Sequence, residues 1–260
     1  MRGINVQSFK TFLQIIERMN LMKEKSFFIV AGVSGVAAAI LIALIRFVDV
    51  SSIGPEGTSI GMSHLNQFVF RLFGENMFLY HVTEFLGIAA ILTAFVFALI
   101  GVIQLIKRRS ILKVDHEILA LGVLYMFVVG LYVLFEIVSL NFRPVIMPGN
   151  IHLEASFPSS HTMLVCVIMG STIMLMEKYV HGEMICMILR TICAIMIGVM
   201  VIGRLISGVH WFTDIIGGIL ISICLLSLFA GVIDADSNTI PVKTNQKTPA
   251  RAIPQVSSKA

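Results

Sequence analysis

Charge is scarce in this sequence. Asp, Glu, Lys and Arg make up 13 % of its 260 residues, about half the share of an ordinary soluble domain. A chain kept disordered by its charge is thereby excluded. Cysteine is sparse too. Cys166, Cys186, Cys193 and Cys224 all lie in apolar runs, and no pair has metal-ligand spacing. That excludes a disulfide-stapled secreted scaffold and leaves four small core residues. There is no internal repeat and no low-complexity tract, so solenoids and collagen-like chains are excluded as well.

What is abundant is apolar surface. The set AVILMFWYC supplies 57 % of the chain before its 20 glycines are added, and mean hydropathy is +0.93. A soluble globule of this size has no interior large enough for that, so the bulk solvent is lipid. A bilayer core of ~30 Å takes ~20 apolar residues per helix. Six runs qualify: Phe27–Ile45, Phe85–Ile106, Ile118–Phe135, Ala155–Met176 (with a loop-like start), Met184–Gly203 and Ile215–Ile233. Backbone groups in hydrocarbon must be satisfied within their own segment, so each run reads as a helix. The fold expected is all-α, a polytopic bundle of six transmembrane helices.

Net charge is +4, and its distribution matters more than its sum. Of the 19 Lys and Arg, 14 fall in the first 26 residues, in the connections after the second and fourth runs, or in the tail, and Arg190, inside the fifth run, lies within snorkelling distance of the same side. Only Arg46, Arg71, Arg143 and Arg204 fall on the other side. The positive-inside rule then puts both termini in the cytoplasm. The partner implied is the bilayer, not nucleic acid. Three segments follow: a basic cytoplasmic stretch over 1–26, a membrane domain over 27–233, and a polar, disordered cytoplasmic tail over 234–260. The first run is long enough to read as a signal anchor. The outer connection over 49–84 carries Leu65, Phe68, Val69, Leu72 and Phe73 at helical spacing. It predicts a short extra helix, either flat in the outer interface or packed on the bundle as a cap. Trp211 reads as an aromatic-belt anchor.

Ionisable residues at span ends are candidates for function. Three clusters share the outer side: Asn141-Phe142-Arg143-Pro144; Phe157-Pro158-Ser159-Ser160-His161; and Gly203-Arg204 with His210 and Asp214. Arg143 and Arg204 are fixed cations with forks suited to phosphate oxygens. Pro158-Ser159-Ser160 reads as a helix start whose free N–H groups favour an anion. His210 and Asp214 are four apart and share a helix face. A carboxylate there fixes the tautomer of one ring nitrogen and leaves the other as nucleophile. His161, from another helix, suits a general acid. On an unbroken helix, Arg204 and His210 would face about 120° apart, so Gly208 is expected to bend the chain between them.

At these residues the chain resembles the type 2 phosphatidic acid phosphatase family, whose motifs are KxxxxxxRP, PSGH and SRxxxxxHxxxD. This sequence reads ExxxxxxRP from Glu136 to Pro144, PSSH from Pro158 to His161 and GRxxxxxHxxxD from Gly203 to Asp214. The resemblance implies His210 as the nucleophile that forms a phosphohistidine and Asp214 as its orienting partner. It implies His161 as the acid, then the base. Arg143, Arg204 and Ser159, with the backbone near Ser160, form the phosphate cradle, and no metal or other cofactor is expected. The chain departs from the motifs at Gly203, Ser160 and Glu136. The last replaces a cation by an anion, and one unit-charge interaction at ~5 Å and effective dielectric ~20 is worth roughly 3 kcal/mol.

The function expected is hydrolysis of a lipid phosphate in the cell membrane, with the site open to the extracytoplasmic side. Polyprenyl pyrophosphate is the first choice of substrate; phosphatidic acid and phosphatidylglycerol phosphate are others. Three alternatives stand beside it: a phosphotransferase using the same phosphohistidine, a catalytically weak lipid-phosphate-binding protein (made thinkable by Glu136), and a small transporter.

Overall fold

The structure, a computed structural model, describes the backbone over 6–147 and 152–239, and side chains over 25–147 and 152–235. Seven α-helices occur among these residues: α1 Val6–Phe47, α2 Ser63–Phe73, α3 Met77–Arg108, α4 His116–Ile137, α5 Ser160–Tyr179, α6 Glu183–Ser207 and α7 Phe212–Thr239. Six of them, all but α2, are long and apolar enough to cross a membrane. The six expected spans are therefore present. The bundle forms as it does because side chains such as Phe85, Ile91, Phe95, Ile106 and Ile185 lie exposed on its outer face, where only lipid makes them stable.

The boundaries differ from expectation at three places. Helix α1 begins at Val6, so most of the basic stretch over 1–26 continues the first span as helix. Helix α7 runs to Thr239, and the tail beyond it lies outside the described residues. Helix α3 begins at Met77, where the Asn76 side chain accepts a hydrogen bond from the Leu79 N–H at 3.0 Å. Glu84 looked like the charged border of an apolar run, yet it sits two turns inside a helix. Its partners, described below, make that position tolerable.

Helix α5 is the centre of the bundle, with 61 % of its span buried against 17 % for α3 and α6. Val165, Val167 and Met169 pack between neighbouring helices. Chain direction alternates, so the starts of α3, α5 and α7 and the ends of α4 and α6 meet at one end. The opposite end is tied by polar pairs: Arg108 to Asp115 at 2.7 Å, Tyr179 to Asp115 at 3.1 Å and Lys178 to Glu117 at 2.5 Å.

Helix α2 both covers the bundle and faces outward. Its polar Asn66 is fully buried; Nδ2 donates to the Gly61 carbonyl at 2.9 Å and to Thr213 Oγ1 at 3.0 Å. Asn66 Oδ1 accepts from the Thr213 N–H at 3.1 Å. Phe68 and Leu72 point away from the protein. The apolar stripe is thus the outer face, and a polar side chain pins the helix to the start of α7. Asp49 holds the start of α2. Its carboxylate accepts from the His64 N–H at 2.8 Å and from Ser63 Oγ at 2.9 Å, and the His64 contacts hold it below the usual carboxylate range.

Candidate active site

All three polar clusters lie at the end of the bundle where α5 and α7 begin. The first two are joined by backbone. Phe142 and Ala155 form an antiparallel bridge; the Arg143 N–H donates to the Glu154 carbonyl at 3.1 Å and the Ser156 N–H to the Asn141 carbonyl at 2.9 Å. The second and third are joined by the Ser159 N–H, which donates to the Asp214 carbonyl at 3.0 Å. Trp211 is 3 % exposed, and its Nε1 donates to the Phe142 carbonyl at 2.7 Å. It clamps the first cluster to the third and is not a belt anchor, because its one polar atom is used inside the protein.

Between α6 and α7 the chain turns at Gly208, which adopts φ +70°. A Cβ there would stand 2.1 Å from the Gly74 carbonyl oxygen. Glycine therefore answers both the left-handed conformation and the close approach. The turn delivers His210 to a cavity of about 530 Å³. Arg143, Ser160, His161, Glu84, Glu136 and Glu154 line the same cavity.

The His210 ring is held from behind. Its Nδ1 lies 3.1 Å from the Ser156 carbonyl oxygen and 3.2 Å from Ser156 Oγ. A carbonyl only accepts, so Nδ1 carries the proton and Nε2 keeps its lone pair. Asp214 Oδ2 is 3.9 Å from Nδ1, too far for a hydrogen bond. Ser156 stands between them, its Oγ donating to Asp214 Oδ2 at 2.5 Å. Asp214 also accepts from the Trp211 N–H at 2.9 Å and from Asn141 Nδ2 at 3.4 Å. The expected direct pair is thus a relay through Ser156, a residue the sequence did not single out. Burial, then the charges of Arg143, Arg204 and His161, push the His210 pKa well below its ordinary value. The ring is neutral through the physiological range.

The cations are matched by carboxylates that the sequence did not single out either. Arg143 Nε lies 2.9 Å from Glu154 Oε2. Arg204 is completely buried, with Nη2 2.5 Å from Glu84 Oε1 and its guanidinium 5.2 Å from the centre of the Tyr80 ring. His161 Nε2 is 3.2 Å from the same Glu84 oxygen. Glu136 shares neither arginine's carboxylate contact and is exposed at the cavity wall. Ser159 is fully buried and its Oγ accepts from Thr162 Oγ1 at 3.0 Å. Ser160, not Ser159, faces the cavity.

Several buried nitrogens have no hydrogen-bond partner among the described residues: Arg204 Nε and Nη1, His161 Nδ1 and His210 Nε2. Buried polar groups in native proteins are rarely left so. The far end of the cavity is apolar, lined by Ile88, Ile91, Val128, Val129, Tyr132 and Leu164. Ile88, Ile91 and Val129 are also more than half exposed, so the cavity opens sideways between α3 and α4. Gly203 has a packing reason as well: a Cβ there would lie 2.6 Å from Thr83 Cγ2.

No curated protein sequence matches this chain. A solved structure similar to it is that of a transmembrane PAP2 type phosphatidylglycerolphosphate phosphatase from Bacillus subtilis. The TM-score is 0.57 at 17 % identity, over 82 % of this chain and 98 % of that one. At that identity the likeness concerns the fold. Residues 137–236 match the sequence profile of the PAP2 superfamily, a stretch that contains Arg143, the PSSH segment, Arg204, His210 and Asp214. Residues 137–236 thus resemble the PAP2 superfamily, and the whole chain is similar in fold to a membrane PAP2 type phosphatase.

Proposed function

We propose that the protein is a lipid phosphatase working through a phosphohistidine. The observation that carries this reading is the cavity lined by His210, His161 and Arg143, with His210 Nε2 and His161 Nδ1 buried and unpartnered among the described residues; Arg204 does not line it but lies behind Glu84, with Nε and Nη1 likewise unpartnered. Together with Arg143 and the first-turn N–H groups of α5, they suit a tetrahedral anion. The apolar gap between α3 and α4 suits the hydrocarbon of the same molecule.

In the first step, the Nε2 lone pair of His210 forms a bond to phosphorus as the bond to the lipid oxygen breaks in line. His161 gives its proton to that leaving oxygen. The positive charge that develops on His210 is met by Ser156 and, through it, by Asp214. In the second step, a water loses a proton to His161 and attacks phosphorus; the P–N bond breaks and the electron pair returns to Nε2. Arg143 and Arg204 hold the equatorial oxygens throughout, which places charge stabilisation in fixed groups. No step calls on a metal. By the positive-inside bias, the cavity faces the extracytoplasmic side. Polyprenyl pyrophosphate, phosphatidic acid and phosphatidylglycerol phosphate are the substrates to try first.

One observation favours a second reading. Three carboxylates, Glu84, Glu136 and Glu154, line the cavity, which fits a protein that holds a lipid phosphate and turns it over poorly. Phosphate release from vesicles of each of the three lipids, with the full chain in nanodiscs, separates the two. Release from at least one lipid supports the phosphatase. Binding to all with release from none supports the second reading.

A further inference from the structure

One carboxylate joins the two halves of the proposed machinery, and it comes from outside them. Glu84 belongs to α3, whereas the PAP2 match spans 137–236. Its Oε1 touches both His161 Nε2 at 3.2 Å and Arg204 Nη2 at 2.5 Å. Two glycines let α3 come this close. At Gly87, one turn from Glu84, a Cβ would stand 2.9 Å from His161 Cδ2; at Gly203, beside Arg204, it would stand 2.6 Å from Thr83 Cγ2. An ionic group inside a span is costly unless paired, and Glu84, Arg204 and His161 compensate one another.

The contacts divide each partner into two edges. Glu84 takes Nε2 of His161 and Nη2 of Arg204. Nδ1 of His161 and Nε and Nη1 of Arg204 stay without partners among the described residues. A phosphate in the cavity that meets His161 Nδ1 therefore need not displace Glu84. We propose, resting on the phosphohistidine reading, that Glu84 is a positioning residue: it turns His161 so that Nδ1 delivers the proton to the leaving oxygen, and it fixes Arg204 behind the phosphate. The acid step needs an imidazolium, and Glu84 accepts its Nε2–H while Nδ1–H points to the reaction. The charged groups around His161 are Glu84 from α3, Arg204 from α6 and, across the cavity, Arg143, Glu154 and Glu136; the titratable but neutral His210 ring lines the same cavity.

The test compares wild type with Glu84→Gln and Glu84→Asp as full chains in nanodiscs. Phosphate release from phosphatidic acid and polyprenyl pyrophosphate is followed from pH 5 to 9. For Glu84→Gln, kcat falls roughly ten- to a hundredfold while KM stays within about threefold, and the alkaline limb of kcat moves to lower pH. Glu84→Asp, which keeps the charge, recovers much of the loss. A merely structural role would move neither the pH limb nor the split between kcat and KM. A second readout does not depend on turnover. Nitrogen-15 NMR of the histidine rings, assigned with His161→Gln, shows a proton at His161 Nε2 in wild type and its loss or exchange broadening in Glu84→Gln. Unchanged kcat and pH profile in Glu84→Gln, a change in KM alone, or an unaltered His161 signal overturns the assignment. If wild type releases no phosphate from any lipid, the phosphatase reading fails on its own, and the NMR comparison still decides whether Glu84 holds the ring.

Discussion

At the scale of single residues, the site depends on what stands behind each functional group. Ser156 is the clearest case, since among the described residues it bridges the His210 ring and the Asp214 carboxylate. Ser156→Ala leaves the backbone carbonyl contact but removes the link to Asp214. On the proposed role of His210, rate falls roughly ten- to a hundredfold, a fraction of the ~10²–10⁴ that a positioned catalytic side chain contributes, and KM changes little. Kinetics on the purified variant check this. The depressed pKa of His210 makes a second prediction. In the proposed mechanism His210 attacks as the neutral ring and stays neutral into mild acid, so the acid limb of kcat/KM lies below the ordinary histidine value of ~6.5, once ionisation of the substrate phosphate is allowed for. The sign for stability is the same. The unfolded chain protonates this histidine near pH ~6.5 and the folded chain resists, so stability is full above that pH and declines below it. A pH titration of kcat/KM and of thermal unfolding tests both. His210, His161, Arg143, Arg204 and Asp214 were legible in the sequence because their spacing carries the motif. Ser156, Glu84 and Glu154 were not. A lone serine and two scattered glutamates carry no spacing signal, and only the folded chain brings them to the histidines and arginines.

At the scale of elements, tight turns and close helix contacts set the geometry. The α6–α7 turn is the most constrained, with Gly208 at φ +70° and Gly74 packed against it. Gly208→Ala meets both a backbone clash and an unfavourable φ, so it lowers stability by about 1–3 kcal/mol and misplaces His210. Thermal unfolding and phosphate release should fall together. Loss of stability with full activity would show that His210 does not depend on the turn. The bend at Gly208 was legible, because Arg204 and His210 could not share a face on an unbroken helix. The orientation of α2 was only half legible. Periodicity revealed an apolar stripe without saying whether it faced protein or lipid, and buried Asn66 decides the matter by pairing with Thr213. The start of α3 is not legible from charge. Glu84 read as a border because an isolated carboxylate is not stable within a span, and its partners lie 120 and 77 residues away in sequence at Arg204 and His161.

At the scale of the whole molecule, six spans each bring one end to the side that holds the cavity and leave most of the basic residues at the other. The spans were legible because hydropathy in lipid is nearly a one-dimensional problem. The cavity was not, because its walls come from helices far apart in the chain. Sidedness is tested by labelling single cysteines, introduced at position 56 and position 110, with an impermeant reagent on intact cells. Position 56 is labelled and position 110 is protected; the reverse pattern would place the cavity in the cytoplasm. The most direct measurement is phosphate release by purified His210→Ala beside wild type, on whichever lipid phosphate wild type hydrolyses. A phosphohistidine at this residue predicts activity below roughly 1 % of wild type, in line with loss of a nucleophile. Activity comparable to wild type in a folded His210→Ala protein would contradict it.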